Sequence, residues 1–559
     1  MRPPLKLLAT IAVVLAILFS LQPVQPATAS SFKVNDNSDA GDAHPGDGKC
    51  ATDAGKCTLR AAIDETNKLS GPNTILIPAM TIVLHSDLRI NDDVGDDSVN
   101  IQGAGMDKTI LDGNNQTRVF YFTARSGNHS ISDLTIRNAV NQYQSSGTAE
   151  RNGGGIFNEA GLTLTNVHVT GSSAFQGGGI YNQYAFGDSV PSLTLNSVIL
   201  DHNSSTANEM GFGGGGLFNG SKLDGSNVTI TDNTAVLQGG GYYNNSYQKA
   251  TLDGFEISRN SAMDAAGIDN DLGDLTLLNG KINGNVTNCC DPGYNGTGGA
   301  GIFNNDGTMY LENVSVNGNV SNSPGGFGAG IYNFKFMTLK NVSITGNRAA
   351  YGAGIDNGWY EAGYQNLLTL ISVTVSDNVG VSTSPIDAEG GGIHNRTYGT
   401  IYIYSSTITA NSARVAGGIS NGSTANQIVL HNSILAGNTD EYGVTDCRGT
   451  LTSSGYNIIG NPYGNPSVNP TFKCTFALKE GDRINANPML GGLTGQPAYH
   501  PLLAGSPAID AGTMSDCPGT DQRGYQRPMG NTCDIGSIEY PEQSATNYTN
   551  QIFVPMVER

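Results

Sequence analysis

Positive charge is scarce in this chain. Lys and Arg number 29 against 48 Asp and Glu, a formal charge of −19. A surface of that sign repels phosphate backbones, which argues against nucleic acid as a partner. It repels polyanions such as pectate too, unless a cation bridges them. No paired C-x-x-C and His spacing of a zinc site occurs, and no Gly-rich nonapeptide with Asp at a period of nine. No metal and no cofactor is therefore predicted. After residue 21 there is no long apolar run, so the mature chain is expected to hold no transmembrane segment. Helical spacing of apolar residues is nearly absent, which excludes a leucine-rich horseshoe with a helix or long arc per repeat.

The first 29 residues read as a signal peptide. Arg2 and Lys6 give a positive start, residues 7–21 are apolar, and Ala27, Thr28 and Ala29 offer a small-residue cleavage site. The expected location is extracellular or at the cell surface. In an oxidising compartment the eight cysteines read as local disulfides: Cys50 with Cys57, Cys447 with Cys474, and Cys517 with Cys533. Adjacent Cys289 and Cys290 are open to bonding each other or other cysteines.

Glycine is abundant instead, at 75 residues with no period of three. It recurs in a motif, Gly-Gly-Ile-x-Asn, whose ten copies end at Asn158, Asn182, Asn219, Asn244, Asn270, Asn304, Asn333, Asn357, Asn395 and Asn421. The spacing has a floor of 24 residues with occasional additions of about ten, as a solenoid coil with loop insertions requires. Between motifs, apolar residues alternate, shift by one, and alternate again: Leu162 and Leu164, then Val167 and Val169. That pattern is two short strands sharing one buried face around a corner. The corner residue is often Asn (Asn166, Asn227, Asn279, Asn313, Asn341, Asn432), which tolerates the left-handed conformation of a tight bend.

Each coil closes on another Asn: Asn203, Asn233, Asn260, Asn285, Asn319, Asn347, Asn378, Asn411 and Asn438. Stacked about 4.8 Å apart, such amides can hydrogen-bond in a ladder. The predicted fold is all-β, a right-handed parallel β-helix over residues 73–445, a rod of roughly 60 Å. Residues 30–72 read as an N-terminal capping module. Its amphipathic helix over 58–69 has Thr58 as N-cap and Leu59, Ala62, Ile63 and Thr66 on one face. Residues 446–540 read as an irregular C-terminal cap and 541–559 as a tail.

These coils resemble the right-handed parallel β-helix proteins of the pectin-lyase-like class, and VNIQGAGMDKTILDG at residues 99–113 looks like a first coil. DGKCATDAGKCTLRAAIDETN at residues 47–67 is similar to the N-terminal module named for its C-S-L-R-E-A residues, here C-T-L-R-A-A. SPAIDAG, DQRGYQRP and CDIGSIE, beginning at Ser506, Asp521 and Cys533, resemble the bacterial choice-of-anchor Q domain. The resemblance implies an exported surface or secreted protein.

Some proteins of that class are polysaccharide lyases or hydrolases. A hydrolase needs carboxylates clustered across a groove. Of the polygalacturonase set N-T-D, D-D, G-H-G and R-I-K, Asn438-Thr439-Asp440 matches the first but lies on the structural Asn column. Asp92-Asp93 and Asp96-Asp97 precede the coils, and no G-H-G or R-I-K occurs. A lyase needs a base facing a bound carboxylate. Arg259, Lys281, Lys335, Lys340, Arg348, Arg396 and Arg414 are dispersed, and His168, His202, His394 and His431 do not cluster in sequence. His394, at the variable position of its motif, is expected to be exposed and structural. Aromatics do share a register. Tyr184, Phe186, Tyr247, Trp359, Tyr360, Tyr364 and Tyr398 follow the motif Asn, at one edge of the rod, where they could stack on sugar rings or cover the coil beneath them.

The leading expectation is a non-catalytic exported β-helix binding a polysaccharide, a surface glycan or a partner surface in the adhesin style, with no catalytic residues assigned. The alternatives are a polysaccharide lyase or glycoside hydrolase with a non-standard site, and a structural cell-envelope component.

Overall fold

The computed structural model describes residues 29–91, 98–123, 127–141, 149–185, 190–208, 213–288, 298–358, 366–381, 388–423, 426–441, 443, 445–463 and 474–541. Phe186, Cys289, Cys290, Trp359, Tyr360, Tyr364 and residues 1–28 of the expected signal peptide lie outside these. The described chain is an all-β parallel β-solenoid with a single short α-helix, Leu59–Thr66. Three parallel sheets run along it, of 26, 14 and 8 strands. Fourteen strands at about 4.8 Å per rung give a rod of about 60 Å. No helix among the described residues is long and apolar enough to cross a membrane.

The long sheet takes two strands from most coils. In Gly161–Thr170 the two halves are continuous; later they separate, as in Thr308–Glu312 and Ser315–Asn317. Leu162, Leu164, Val167 and Val169 all point into the core. The shift between the pairs is made by Asn166 at φ 54°, and Asn227, Asn279, Asn313, Asn341 and Asn432 repeat that left-handed bend.

The 14-stranded sheet carries the repeated motif. Its Ile column, from Ile156 to Ile419, fills the core with the alternating residues of the long sheet. The motif asparagines form one buried ladder, each Nδ2 donating to the next Oδ1 at 2.7–3.2 Å from Asn158 to Asn421. The coil-closing asparagines form a second, from Asn203 to Asn438, at 2.8–3.1 Å. In this second ladder the other Nδ2 hydrogen goes to a core-strand carbonyl, as from Asn260 to Ile230 O at 3.0 Å. Each amide is thereby satisfied without water, as full burial demands.

The third glycine of the motif makes room for that ladder. A Cβ on Gly301 would sit 2.6 Å from Gly330 O and 2.9 Å from Asn319 Nδ2. The first motif position needs a positive φ instead, and there Ala265 (φ 50°) and Ala416 (φ 54°) replace glycine.

Both ends depart from the repeat. Strand Ser31–Lys33 pairs in parallel with Asn73–Leu76 at the start of the stack. Helix Leu59–Thr66 lays Leu59, Ala62 and Ile63 on the same core. Thr58 caps it by accepting from Ala61 N–H at 3.0 Å, and the Cys50–Cys57 disulfide ties the incoming loop. At the far end Cys447–Thr450, Thr452–Ser453 and Ile458–Ile459 add a further coil, bridged by Cys447–Cys474.

Residues 485–541 then turn back along the outer face of the long sheet. Gln522 Oε1 accepts from Thr374 Oγ1 at 2.5 Å, His500 Nε2 lies 2.8 Å from Ser376 Oγ, and Leu502, Ala508 and Ile535 cover the outward-facing Ile434 and Ile458. The three sequence blocks of this segment interlock. Asp510 N–H donates to Asp534 Oδ1 at 2.7 Å, Glu539 N–H to Asp521 Oδ2 at 3.1 Å, and the buried Arg527 to Gly536 O at 2.6 Å. Cys517–Cys533 closes the knot.

Candidate functional site

The variable residue of the motif points away from the core, and parallel pairing stacks it into a column. From the N-terminal side that column is Tyr121, Phe157, Tyr181, Phe218 and Tyr243, with ring centroids 4.5–5.5 Å apart. Asp269 follows, then Phe303 and Tyr332 at 5.0 Å, then Asp356, His394, Ser420 and Arg448. The column is therefore aromatic for most of its length and polar at its C-terminal end.

At that polar end Asp356 is fully buried. It accepts from Arg396 Nε at 2.7 Å and lies 2.9 Å from His394 Nδ1. His394 is not exposed as expected: its side chain is 12% accessible, because Asp356 is its neighbour one rung below. The Arg396 guanidinium sits 3.4 Å over the Phe327 ring, a desolvated cation–π contact. Beside them Glu389 accepts from Ser420 Oγ at 3.0 Å and pairs with Arg448 at 2.6 Å. A histidine oriented by a buried carboxylate can shuttle a proton from its other nitrogen. The ion pairs around it are balanced in charge, and the Ser420 hydroxyl donates its hydrogen bond to Glu389.

A second group surrounds Asp269. This carboxyl is buried and its Oδ1 has no hydrogen-bond partner among the described residues. Burial, with the charges of Asp271 and Asp264, pushes it well above the ordinary carboxylate range. Burial pushes Asp264 up to about 6, against hydrogen bonds from Gly298 and Ala265 N–H. Asp271 accepts from the Tyr243 hydroxyl at 3.0 Å and from Asn305 Nδ2 at 2.7 Å. No group of three or more His, Cys, Asp or Glu able to hold a metal ion occurs among the described residues.

The loop aromatics divide. Tyr184 packs edge-on against Phe218 at 5.6 Å and is half-buried, covering the coil beneath it. Tyr247 is 83% exposed, and Tyr398 39% exposed with φ 66°. Both follow a ladder asparagine (Asn244 and Asn395) at the same corner of the rod.

Most of the dispersed cations prove to be paired with a carboxylate one rung away. Arg259 meets Asp232, Lys335 meets Asp306, Lys340 meets Glu312, and Arg414 meets Glu441, all within 2.5–2.8 Å. Stacking brings His168 and His202 together on Asp201, at 3.0 and 3.5 Å. Burial works to raise Asp201, but hydrogen bonds led by His168 outweigh it and hold this carboxyl at about 2.

The sequence reading missed Asp269 and Asp356, although a signal for them is present. Both stand in GIDN, where most other copies have an aromatic between Ile and Asn. Fold and outer column together define a parallel β-solenoid with a mixed aromatic and charged flank. No family model matches the chain, and no curated protein matches it.

Proposed function

We propose that the chain is an exported, non-catalytic β-helix that binds glycans or partner surfaces in the manner of an adhesin, extracellularly or at the cell surface. On this reading residues 30–72 are a CSLREA-like module, and residues 446–540 a choice-of-anchor-like one clasped to the rod. One observation carries the proposal: Tyr247 and Tyr398 stand out from one corner, with rings free to stack on a sugar. Most other polar and aromatic groups of the coils are already engaged in ladders, ion pairs and stacks. The test is binding of the purified protein to an immobilised glycan panel, with Tyr247→Ala/Tyr398→Ala as comparison. Weakened capture by the variant is expected; undiminished capture would remove the tyrosine corner from the proposal.

A polysaccharide lyase or glycoside hydrolase is the second reading, favoured by the Asp356–His394 pair and by the raised carboxyls Asp264 and Asp269. Release of reducing or unsaturated sugars by the wild type, abolished in His394→Ala or Asp269→Asn, would establish it and overturn the non-catalytic reading.

A further inference from the structure

The C-terminal segment does more than cover the flank: its tip encloses a cleft. Residues 494–499 form a small hairpin through the Thr494–Tyr499 bridge. Pro497 at this tip faces the long sheet across a cavity of about 420 Å³. That volume lies within the range of about 300–1,000 Å³ typical of small-molecule sites. The rod side of the cavity comprises Phe255, Glu256 and Lys281, with the corner asparagines Asn227 and Asn279.

Each of these residues is placed by the solenoid. Glu256 and Lys281 are register partners in adjacent rungs, on the outward face of the long sheet. Gly280 allows the Phe255 ring to lie directly against the backbone, since a Cβ there would collide with the ring. Asn227 and Asn279 are held at φ 54° and 52° by the bend, which presents their exposed amides at the rim. The remaining feature is Lys281. Four of its neighbours among the coil cations sit in ion pairs, but Lys281 makes none among the described residues and stays exposed beside Glu256.

We infer that this cleft is a sugar-binding site, taking a short stretch of a glycan chain between the rod and the tip of the C-terminal segment. An apolar surface with a few converging donors and acceptors is what a pyranose ring requires. The half-exposed Pro497 supplies the apolar surface, Lys281 an ammonium donor and Glu256 a carboxylate acceptor, whose Oε1 also accepts from Ser258 Oγ at 2.9 Å. The buried Phe255 ring backs the cleft from the core. The exposed Gln496 amide at the tip offers both donor and acceptor to neighbouring hydroxyls. The corner amides are instead engaged along the rod, Asn227 donating to Ser197 Oγ at 3.1 Å and Asn279 to Asp253 Oδ1 at 2.7 Å. Because the segment that closes the cleft is clasped to later coils through Thr374 and Ser376, the two walls are fixed relative to each other. The inference rests on the glycan-binding reading and adds a location and a chain length to it.

The experiment is calorimetric titration of the full secreted chain with cello-, xylo-, chito- and galacturono-oligosaccharides of two to six units. Wild type is compared with Lys281→Ala/Glu256→Gln and with Lys33→Ala, an exposed lysine of the first strand, and the fold of each variant is checked by circular dichroism. The cleft predicts an oligosaccharide whose affinity falls about tenfold or more in Lys281→Ala/Glu256→Gln. It also predicts little change in Lys33→Ala. If an oligosaccharide binds and the cleft variant binds it as the wild type does, the cleft is overturned while glycan binding stands. If no oligosaccharide and no immobilised glycan binds the wild type, glycan binding fails and the cleft with it.

Discussion

Asn438 donates its Nδ2 hydrogen to Oδ1 of Asp446 at 2.9 Å, and there the second ladder of amides ends. The same oxygen accepts the Asn438 backbone N–H at 2.8 Å, so Asp446 occupies the place a tenth asparagine would take. An amide must pass a hydrogen bond onward, whereas a carboxylate only accepts. The repeat stops at this rung, and so does the need for a donor. Oδ2 meets a different demand, accepting from Asn461 N–H at 2.5 Å, which holds the next turn of chain.

Asp446→Asn should therefore destabilise the last coils even though it restores the repeat consensus. An amide nitrogen in place of Oδ2 would face the Asn461 N–H, donor against donor, while a flipped amide would face Asn438 instead. The cost expected for a buried unsatisfied group is about 1–3 kcal/mol. Hydrogen exchange followed by mass spectrometry should show faster exchange over residues 430–461, with residues 156–245 unchanged. Equal protection in variant and wild type would show that the carboxylate is not required.

Two substitutions one motif apart should have unequal effects. Gly301→Ala places a Cβ against Gly330 O and the Asn319 amide, which cannot both move without breaking a ladder bond. A loss of about 1–3 kcal/mol is expected, the usual cost of overpacking. Ala265→Gly removes a side chain held at φ 50°, and the relief of strain offsets the added freedom of the unfolded chain. Its apparent Tm should stay within a degree or two of wild type, or rise. If Gly301→Ala were as well tolerated as Ala265→Gly, the third glycine would not be making room for the ladder.

The ladder and the bend were legible in sequence because each repeats a residue type at a fixed place in every coil. Asn166 and Asn341 at the corner, or Asn260 and Asn285 at the coil end, could be read without knowing what they touch. The outer column was not legible, because its members differ. His394 lies 38 residues from Asp356, and only the rung register places one above the other. Inserted loops also obscure the period, so the column has to be reconstructed from pairing. The docking of the C-terminal segment left even less trace. Thr374 and Gln522 are 148 residues apart, and small hydroxyl residues on a strand's outer face look like ordinary solvated positions. Tyr184 and Tyr247 show the same limit at the loops: one register, but one ring packs on Phe218 and the other reaches solvent.

The buried carboxyls make stability depend on pH in a direction opposite to that of most salt-bridged proteins. Burial raises Asp264 and Asp534 to about 6, and it also raises Asp269, Asp446 and Asp64. For each, the folded chain binds the proton more tightly than the unfolded chain does. That contribution is complete below the unfolded value near 3.8 and is lost as pH rises through the folded one. Asp201, held at about 2, has the opposite sign, as do Asp112, Asp232 and Glu312; their contributions fade only as pH falls below the ordinary carboxylate range. The apparent Tm should therefore be higher near pH 5 than at pH 7.5, and the net charge of −19 acts in the same direction through self-repulsion. Asp264→Asn separates the two causes, because the amide oxygen can still accept from Gly298 and Ala265 N–H while the charge is gone. By calorimetry it should raise the apparent Tm at pH 7.5 and flatten the pH profile. Asp53→Asn, which removes an exposed charge, should do neither. Equal gains from the two variants would assign the effect to net charge alone.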